Sequence, residues 1–169
     1  MSKTIVYIDV DGVINSFHKS ESAGWTGEWQ RAVVNGYIIH WYTDLIESIN
    51  KLSTTENVEV KWLTTWQDKA AQDLSPALGI DGQYWDVLRA ADQDDLFDLR
   101  NGWWKLHEII KDVAIHKPEK VVWIDDDFRH DRSAIEWAEH VGNVLPISPW
   151  TDWGMTKEDF DDIIEFINS

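Results

Sequence analysis

The spacing of apolar residues along the chain predicts strands that alternate with helices. Residues 4–8 form an unbroken β-branched and aromatic run, which is typical of a strand buried on both faces. Three later runs have a similar character, and they cover residues 58–63, 121–124 and 144–147. Apolar residues at helical spacing predict four helices, at 44–52, 103–115, 132–141 and 157–167. This alternation indicates βαβ units and therefore an α/β fold with a doubly wound parallel sheet.

Local signals refine this outline at two helix starts and at one turn. Thr43 is expected to cap the helix over 44–52, and Thr156 with Asp159 predicts a capping box before the last helix. Asn35-Gly36 separates residues 28–34 from 37–41, which predicts a β-hairpin with a type I′ turn.

The hairpin defines the expected domain organisation. An insertion directly after the first strand is expected to lie over the carboxyl end of the sheet. We therefore predict a single domain over 1–169, with a hairpin flap at about residues 25–42 and no large cap domain.

Composition narrows the classes of protein. Apolar residues make up 43% and charged residues 27% of the chain, as in ordinary globular proteins. The absence of Cys excludes disulfides and Cys-ligated zinc. The net charge of −16 disfavours binding to an extended duplex, and no apolar run approaches the roughly 20 residues of a membrane span. Because the N-terminus also lacks a signal-peptide pattern, we expect a cytoplasmic protein without a membrane partner.

Acidic residues cluster at the ends of two predicted strands. Asp9-Val10-Asp11-Gly12 follows the first strand, and Asp125-Asp126-Asp127 follows the strand at 121–124. Since ligands of open α/β sheets bind at the carboxyl ends of strands, neighbouring strands would bring these carboxylates into one crevice. Oxygen-only ligands favour Mg²⁺ before Ca²⁺. By itself Asp-x-Asp-Gly is also a common turn or calcium-loop sequence, although Val13 occupies a position where an EF-hand needs an oxygen ligand.

Two further positions suggest an anion site. Thr64 and Thr65 follow the strand at 58–63, where hydroxyl and backbone N–H groups can bind phosphoryl oxygens. Their alternative role is to cap the next helix. Lys105 lies at the start of a predicted helix, where the helix dipole disfavours a cation, so an anion in front of it is one explanation and a solvated surface lysine is the other.

Four motifs resemble, in order, those of the haloacid-dehalogenase (HAD) superfamily. They are Asp9-Val10-Asp11-Gly12-Val13, Thr64, Lys105 and Asp125-Asp126. The sequence is similar in particular to the HAD domains of Swiss Army Knife RNA repair proteins, in the segments 9–15, 62–66, 123–127 and 147–149. This resemblance covers nearly the whole chain and implies a HAD-like Rossmannoid fold.

The resemblance implies a two-step phosphoryl transfer. Asp9 would form an aspartyl-phosphate, while Asp11 would protonate the leaving oxygen and then deprotonate the hydrolytic water. Mg²⁺ would be held by the Asp9 and Asp126 side chains and the Asp11 backbone carbonyl, and Asp125 would orient bound water or Lys105. The implied metal site is Asp9, Asp11, Asp125 and Asp126, and the implied phosphate site is Thr64, Thr65 and Lys105.

The phosphate-binding lysine has two candidates. Lys117-Pro118 also resembles a pair seen near the third motif, but it lies immediately before the strand at 121–124, where many HAD proteins carry a non-catalytic Lys-Pro loop. Lys105 lies a helix length upstream, which is where the resemblance places this lysine.

The resemblance implies a phosphatase, because this sequence has an acid, Asp11, two positions after Asp9 in the first motif. Dehalogenases lack an acid at the corresponding position, and phosphotransferases often carry Thr there. A catalytically idle binding module and transfer to a non-water acceptor are the alternative functions. The suggested substrates are a phosphorylated small molecule, a nucleotide or a nucleic-acid end, and the net charge argues against long polynucleotides.

Tryptophan is unusually frequent, with 12 residues, several of them in predicted loops. The candidates for the substrate rim are Trp29, Trp41, Trp66 and Trp150. They can stack on a nucleobase or pack the flap onto the domain, and we favour packing. Asp131 is expected to brace the metal site. The hairpin is expected to govern substrate choice without sealing the site.

Overall fold

The computed structural model describes residues 3–169, which form a parallel sheet with helices on both faces and a separate hairpin. The strands are β1 (Thr4–Ile8), β2 (Trp29–Val34), β3 (Tyr37–Tyr42), β4 (Val58–Trp62), β5 (Lys120–Ile124) and β6 (Val144–Ile147). The helices are α1 (Thr43–Ser53), α2 (Ser75–Leu78), α3 (Trp104–His116), α4 (Arg132–Val141) and α5 (Lys157–Asn168). Every strand and helix predicted from the sequence is present, with each end within one residue of its expected position.

The four strands β4-β1-β5-β6 lie side by side in that order, and all are parallel. Side chains alternate across the central strand β1. Val6 and Ile8 belong to an apolar cluster that includes α1 and α5, whereas Ile5 and Tyr7 belong to a second cluster with α3 and α4. The helices therefore cover both faces, and the predicted doubly wound α/β fold is confirmed.

The hairpin is antiparallel and closes at the predicted turn. Val34 pairs with Tyr37, and Asn35 and Gly36 between them have φ values of 52° and 85°, as a type I′ turn requires. The backbone N–H of Ser16 donates to the carbonyl of His40 at 3.0 Å, which holds the hairpin against the loop that follows β1. Within residues 3–169, the segment between β1 and β4 forms this hairpin, a 3₁₀ turn and α1, and no large cap domain.

The two predicted helix caps have different outcomes. The capping box of Thr156 and Asp159 is confirmed. The predicted Thr43 cap is wrong, because α1 begins at Thr43 itself and Tyr42 precedes it without a side-chain cap. The Thr43 hydroxyl instead accepts a hydrogen bond from the backbone N–H of Glu28 at 3.0 Å, so it joins α1 to the start of the hairpin.

The segment between β4 and α3 is irregular and carries no strong sequence pattern. It contains a π-helical stretch, Ala70–Leu74, that leads into α2. Further on, the segment 86–88 runs along the edge of β4, where Trp62 donates to the Asp86 carbonyl at 2.8 Å and accepts from the Leu88 N–H at 2.9 Å. This short pairing covers the exposed hydrogen-bonding edge of β4.

None of the helices formed by residues 3–169 combines the length and the apolar character that a membrane span requires.

Candidate active site

The candidate site lies where three neighbouring strands end. The ladder continues beyond the strands, because the Asp9 N–H donates to the Ile124 carbonyl and the Leu63 N–H to the Ile8 carbonyl, each at 3.0 Å. These bonds place Asp9, Thr64 and the residues after β5 at one edge of the sheet. The predicted convergence of the two acidic motifs therefore follows from β1 and β5 being neighbours.

Lys105 is buried between two of the converging carboxylates. Its Nζ donates to Asp9 Oδ2 at 2.7 Å and to Asp125 Oδ2 at 2.6 Å, and the residue is only 3% exposed. Burial favours the neutral amine, but the charges of Asp125 and Asp9 outweigh it and raise the lysine pKa above its ordinary value. Lys105 is therefore a charged member of the site and not a solvated surface lysine.

Three buried carboxylates lie close enough to share a cation. Oxygen atoms of Asp9, Asp125 and Asp126 all lie within 4.8 Å of one another. Burial raises the pKa of Asp126 to about 6, although a hydrogen bond from the Thr151 hydroxyl at 2.7 Å acts in the opposite direction. Burial also raises the pKa of Asp125 above its ordinary value, against the attraction of Lys105. One lysine does not balance three carboxylates, so a cation is favoured here.

The turn after Asp11 leaves room for Asp126. Gly12 has a φ of 72°, in the left-handed region, and a Cβ built on it would lie 2.3 Å from Asp126 Oδ2. Glycine is therefore required at this position for both the backbone conformation and the close approach of the carboxylate.

These residues fit a divalent metal ion. The donors are carboxylate oxygens, which suit a hard cation such as Mg²⁺, and the three side chains come from two loops held by paired strands. Asp9, Asp125 and Asp126 can hold such an ion, and the contribution of the Asp11 backbone carbonyl stays a prediction.

Asp11 lies beside this cluster and is half-buried. Asn15 Nδ2 donates to Asp11 Oδ1 at 2.8 Å, and Trp66 Nε1 donates to Asp11 Oδ2 at 2.9 Å. Each carboxylate oxygen therefore has its own N–H donor.

The two threonines after β4 differ in burial. Thr64 is fully buried, and its Oγ1 accepts a hydrogen bond from the Trp66 N–H at 3.3 Å, so it caps the turn that follows. Thr65 is half-buried. A hydroxyl that accepts one hydrogen bond still has its own hydrogen to donate, so phosphate binding by Thr64 and Thr65 stays a prediction.

The four rim tryptophans lie in different surroundings. Trp41 is 8% exposed and belongs to the core, so its assignment to the rim is wrong. Trp29 stacks on His40 with ring centroids 4.3 Å apart, and Trp66 is the partner of Asp11. Trp150 is 64% exposed, and the Arg129 guanidinium lies 4.4 Å from its ring centroid. Packing thus explains Trp41, while Trp150 presents an accessible aromatic surface.

Three other candidates differ in their surroundings. Asp131 Oδ1 accepts a hydrogen bond from the Ala134 N–H at 2.7 Å and caps α4, and the expected role of Asp131 in bracing the metal site stays a prediction. Lys117, the rejected alternative to Lys105, is exposed at the end of α3. Asp127 is also exposed, in contrast to the buried Asp126 beside it.

Sequence reasoning missed two partners of the site carboxylates, Thr151 and Asn15. Asn15 ends the segment 9–15 that carries the family resemblance, whereas Thr151 lies outside every such segment, and the role of both depends on contacts across the fold. A polar residue four positions after Asp11, in a loop that must fold back, was the available signal for Asn15.

Asp126 is expected to matter more for Mg²⁺ than Asp127, because only Asp126 is buried in the carboxylate cluster. Asp126→Ala should raise the Mg²⁺ concentration for half-maximal activity by at least about tenfold, since even residues outside the ligand set cost 10–100-fold in metal affinity. It should also diminish the rise in melting temperature that Mg²⁺ produces. Asp127→Ala is the matched control, and equal effects of the two substitutions would show that the ligand was chosen wrongly.

Comparison with curated proteins found no match, and comparison with solved structures found none either. The family model described as "HAD domain in Swiss Army Knife RNA repair proteins" matches residues 5–160. This range begins in β1, ends in α5 and contains all four motifs. The chain therefore belongs to the family of HAD domains in Swiss Army Knife RNA repair proteins.

Proposed function

We propose that this chain is a Mg²⁺-dependent phosphomonoesterase that acts through an aspartyl-phosphate on Asp9. Family membership supports a phosphatase-type enzyme in general. The observation that carries the specific proposal is the hydrogen bond from the buried Lys105 to Asp9, whose carboxylate has an oxygen within 4.8 Å of oxygens of Asp125 and Asp126. A carboxylate beside a charged amine and a cation site can accept the approach of an anionic phosphate.

The first step forms the covalent intermediate. A carboxylate oxygen of Asp9 attacks phosphorus, and the bond from phosphorus to the ester oxygen breaks. The electron pair of that bond remains on the leaving oxygen, which takes a proton from Asp11. Lys105 and the Thr64 hydroxyl would bind the phosphoryl oxygens, and a divalent cation, when bound, would neutralise charge on Asp9 and on the phosphate.

The second step returns the enzyme to its starting form. A water oxygen attacks phosphorus and gives a proton to Asp11, while the bond between phosphorus and Asp9 breaks. The products are inorganic phosphate and the free Asp9 carboxylate. Asp11 ends protonated, as it began, so protons balance over the cycle.

The proposed substrates are nucleotides or the terminal phosphates of polynucleotides. Two observations support this class: the family description refers to RNA repair, and residues 3–169 form no large cap domain that would enclose a small metabolite. The net charge of −16 disfavours a long polynucleotide lying across the surface, so the end of a chain is the preferred ligand.

A screen of phosphate esters with and without Mg²⁺ tests the proposal. It should include nucleotides, 3′- and 5′-phosphorylated oligonucleotides and p-nitrophenyl phosphate, with release of inorganic phosphate as the measurement. Hydrolysis that requires Mg²⁺ and stops with EDTA is expected. Phosphate that appears on an added alcohol instead of in solution would indicate transfer to a non-water acceptor, and inertness toward every ester would favour a binding module.

The hairpin is expected to govern which substrate is preferred. Replacing residues 33–38 with Asn-Gly joins Ala32 to Ile39 and removes two residue pairs, which keeps the alternation of the antiparallel ladder. The ranking among nucleotides and oligonucleotides, which share the same kind of leaving oxygen, should then change by at least about threefold. Hydrolysis of p-nitrophenyl phosphate should change little, because this small ester needs few contacts beyond the phosphate and its weakly basic leaving group depends little on proton donation. Loss of both activities in a folded variant would mean that the hairpin belongs to the catalytic core.

A further inference from the structure

The carboxylate of Asp11 is fixed by donors from two separate segments. Asn15 Nδ2 donates to one oxygen at 2.8 Å, and Trp66 Nε1 donates to the other at 2.9 Å. Because each oxygen has a donor on a different side, the carboxylate cannot rotate about its Cβ–Cγ bond without losing a hydrogen bond. Asp11 is half-buried, so these bonds are partly shielded from water.

The orientation of the Asn15 amide is determined by the hairpin. Asn15 is 2% exposed, and its Oδ1 accepts a hydrogen bond from the backbone N–H of His40 in β3 at 2.9 Å. A backbone N–H can only donate, so the amide oxygen must face His40 and the amide nitrogen must face Asp11. The hairpin thereby sets the direction of one of the two donors.

Trp66 is held in place by neighbours on both sides. Its backbone N–H donates to Thr64 Oγ1 at 3.3 Å, directly after β4, and the ring of Tyr37 meets the indole edge-on at a centroid distance of 5.7 Å. Tyr37 is the first residue of β3. The second donor to Asp11 is therefore also in contact with the hairpin.

We propose that Asn15 and Trp66 are positioning residues for proton transfer by Asp11, and that the hairpin holds both of them in place. This proposal rests on the proposed phosphatase function. The two N–H donors occupy one lone pair on each Asp11 oxygen and leave one free on each. The proton that Asp11 gives to the leaving oxygen, and later takes from water, must be bound at one of these two free lone pairs. The two N–H donors therefore fix the position from which the proton is transferred.

The leaving group provides a selective test. An alkyl phosphate expels a strongly basic oxygen and depends on protonation, whereas 2,4-dinitrophenyl phosphate expels a weakly basic one and does not. The ratio kcat/KM reports only the steps up to departure of that group, so it isolates proton donation by Asp11. A change in positioning should therefore lower kcat/KM for the alkyl ester alone.

Trp66→Phe removes the Nε1–H and keeps an aromatic ring beside Tyr37. We expect kcat/KM for the alkyl phosphate to fall by about tenfold or more, which is part of the roughly 10²–10⁴-fold that proton transfer contributes. For 2,4-dinitrophenyl phosphate, kcat/KM should fall by less than about twofold. Trp25→Phe is the matched control, because Trp25 also donates through Nε1, to the Met155 carbonyl at 2.7 Å, but does not contact Asp11. The control should not distinguish the two esters.

A second comparison shows whether the effect passes through Asp11. In an Asp11→Asn background, Trp66→Phe should cause no further loss with either ester, because the proton donor is already absent. If Trp66→Phe does not fold, Asn15→Ala tests the donor to the other oxygen in the same assay.

Each result has a distinct meaning. Equal losses with both esters, or a full additional loss in the Asp11→Asn background, would overturn the positioning role, as would unchanged kinetics with both. Wild-type protein that hydrolyses neither of these esters and none of those in the screen described above would instead refute the phosphatase function itself.

Discussion

Asp9→Asn is expected to reduce turnover by at least about a hundredfold while the protein stays folded. An amide oxygen is a poor nucleophile, and residues that form covalent intermediates typically account for losses of this size or greater. Removing one of three clustered carboxylates also lowers the repulsion within the site, so the substitution should not unfold the chain. Phosphate release at saturating Mg²⁺, with circular dichroism to confirm folding, measures the effect.

A trapping experiment separates a missing nucleophile from a damaged site. Beryllofluoride with Mg²⁺ imitates an acyl-phosphate, and it should bind wild-type protein and raise its melting temperature. Asp9→Asn should show no such rise, because it lacks the carboxylate that completes the adduct. A variant that retains more than about a hundredth of the wild-type rate would assign the attack to another group.

The sheet and the carboxylate cluster were predictable because both follow from short-range signals. A β-branched run such as residues 4–8 suits few structures besides a buried strand, and Asn35-Gly36 specifies its turn through its own backbone preferences. Once β1 and β5 are neighbours, the loops after them must meet at one edge, so Asp9 and Asp126 could be placed together from topology alone.

The parts that sequence could not predict depend on contacts between distant segments. Lys61 interrupts the apolar pattern of β4 yet is 1% exposed, because its Nζ pairs with Asp112 of α3 at 3.0 Å. Asp112 also accepts a hydrogen bond at 2.6 Å from the hydroxyl of Tyr7 in β1. No local pattern reveals that a lysine will find a partner 51 positions away on another helix.

Contacts between distant segments also explain why the predicted roles of Trp41 and Thr43 were wrong. Trp41 alternates correctly along β3, but which face of the hairpin is buried depends on how the hairpin packs. Thr43 has a typical capping side chain, yet the hairpin offers it the N–H of Glu28 and the helix begins one residue earlier. In both cases the prediction of the element was right and the tertiary contact decided the role of the residue.

After Asp9, substitution of Lys105 is expected to cause the largest loss of activity, whereas substitution of Lys117 should cause almost none. Lys105→Ala should lower kcat/KM by about 10²–10³-fold, which is typical when one group that stabilises transition-state charge is removed. Lys117→Ala should stay within about twofold, because Lys117 is exposed at the end of α3. Phosphate release by the two variants under identical Mg²⁺ concentrations makes the comparison.

The melting temperature provides a second, independent test of the role of Lys105. Without Lys105, Asp9 and Asp125 lose the ammonium that lies 2.7 and 2.6 Å from them, and two buried carboxylates remain without that counter-charge. The melting temperature of Lys105→Ala should therefore fall at pH 8 in EDTA and recover when Mg²⁺ is added. Lys105→Met, which preserves most of the side-chain volume, should behave in the same way if charge and not packing is responsible. Strong loss of activity in Lys117→Ala with little effect at Lys105 would reverse the assignment of the phosphate-binding lysine, because the exposed residue would then be the one that meets the substrate.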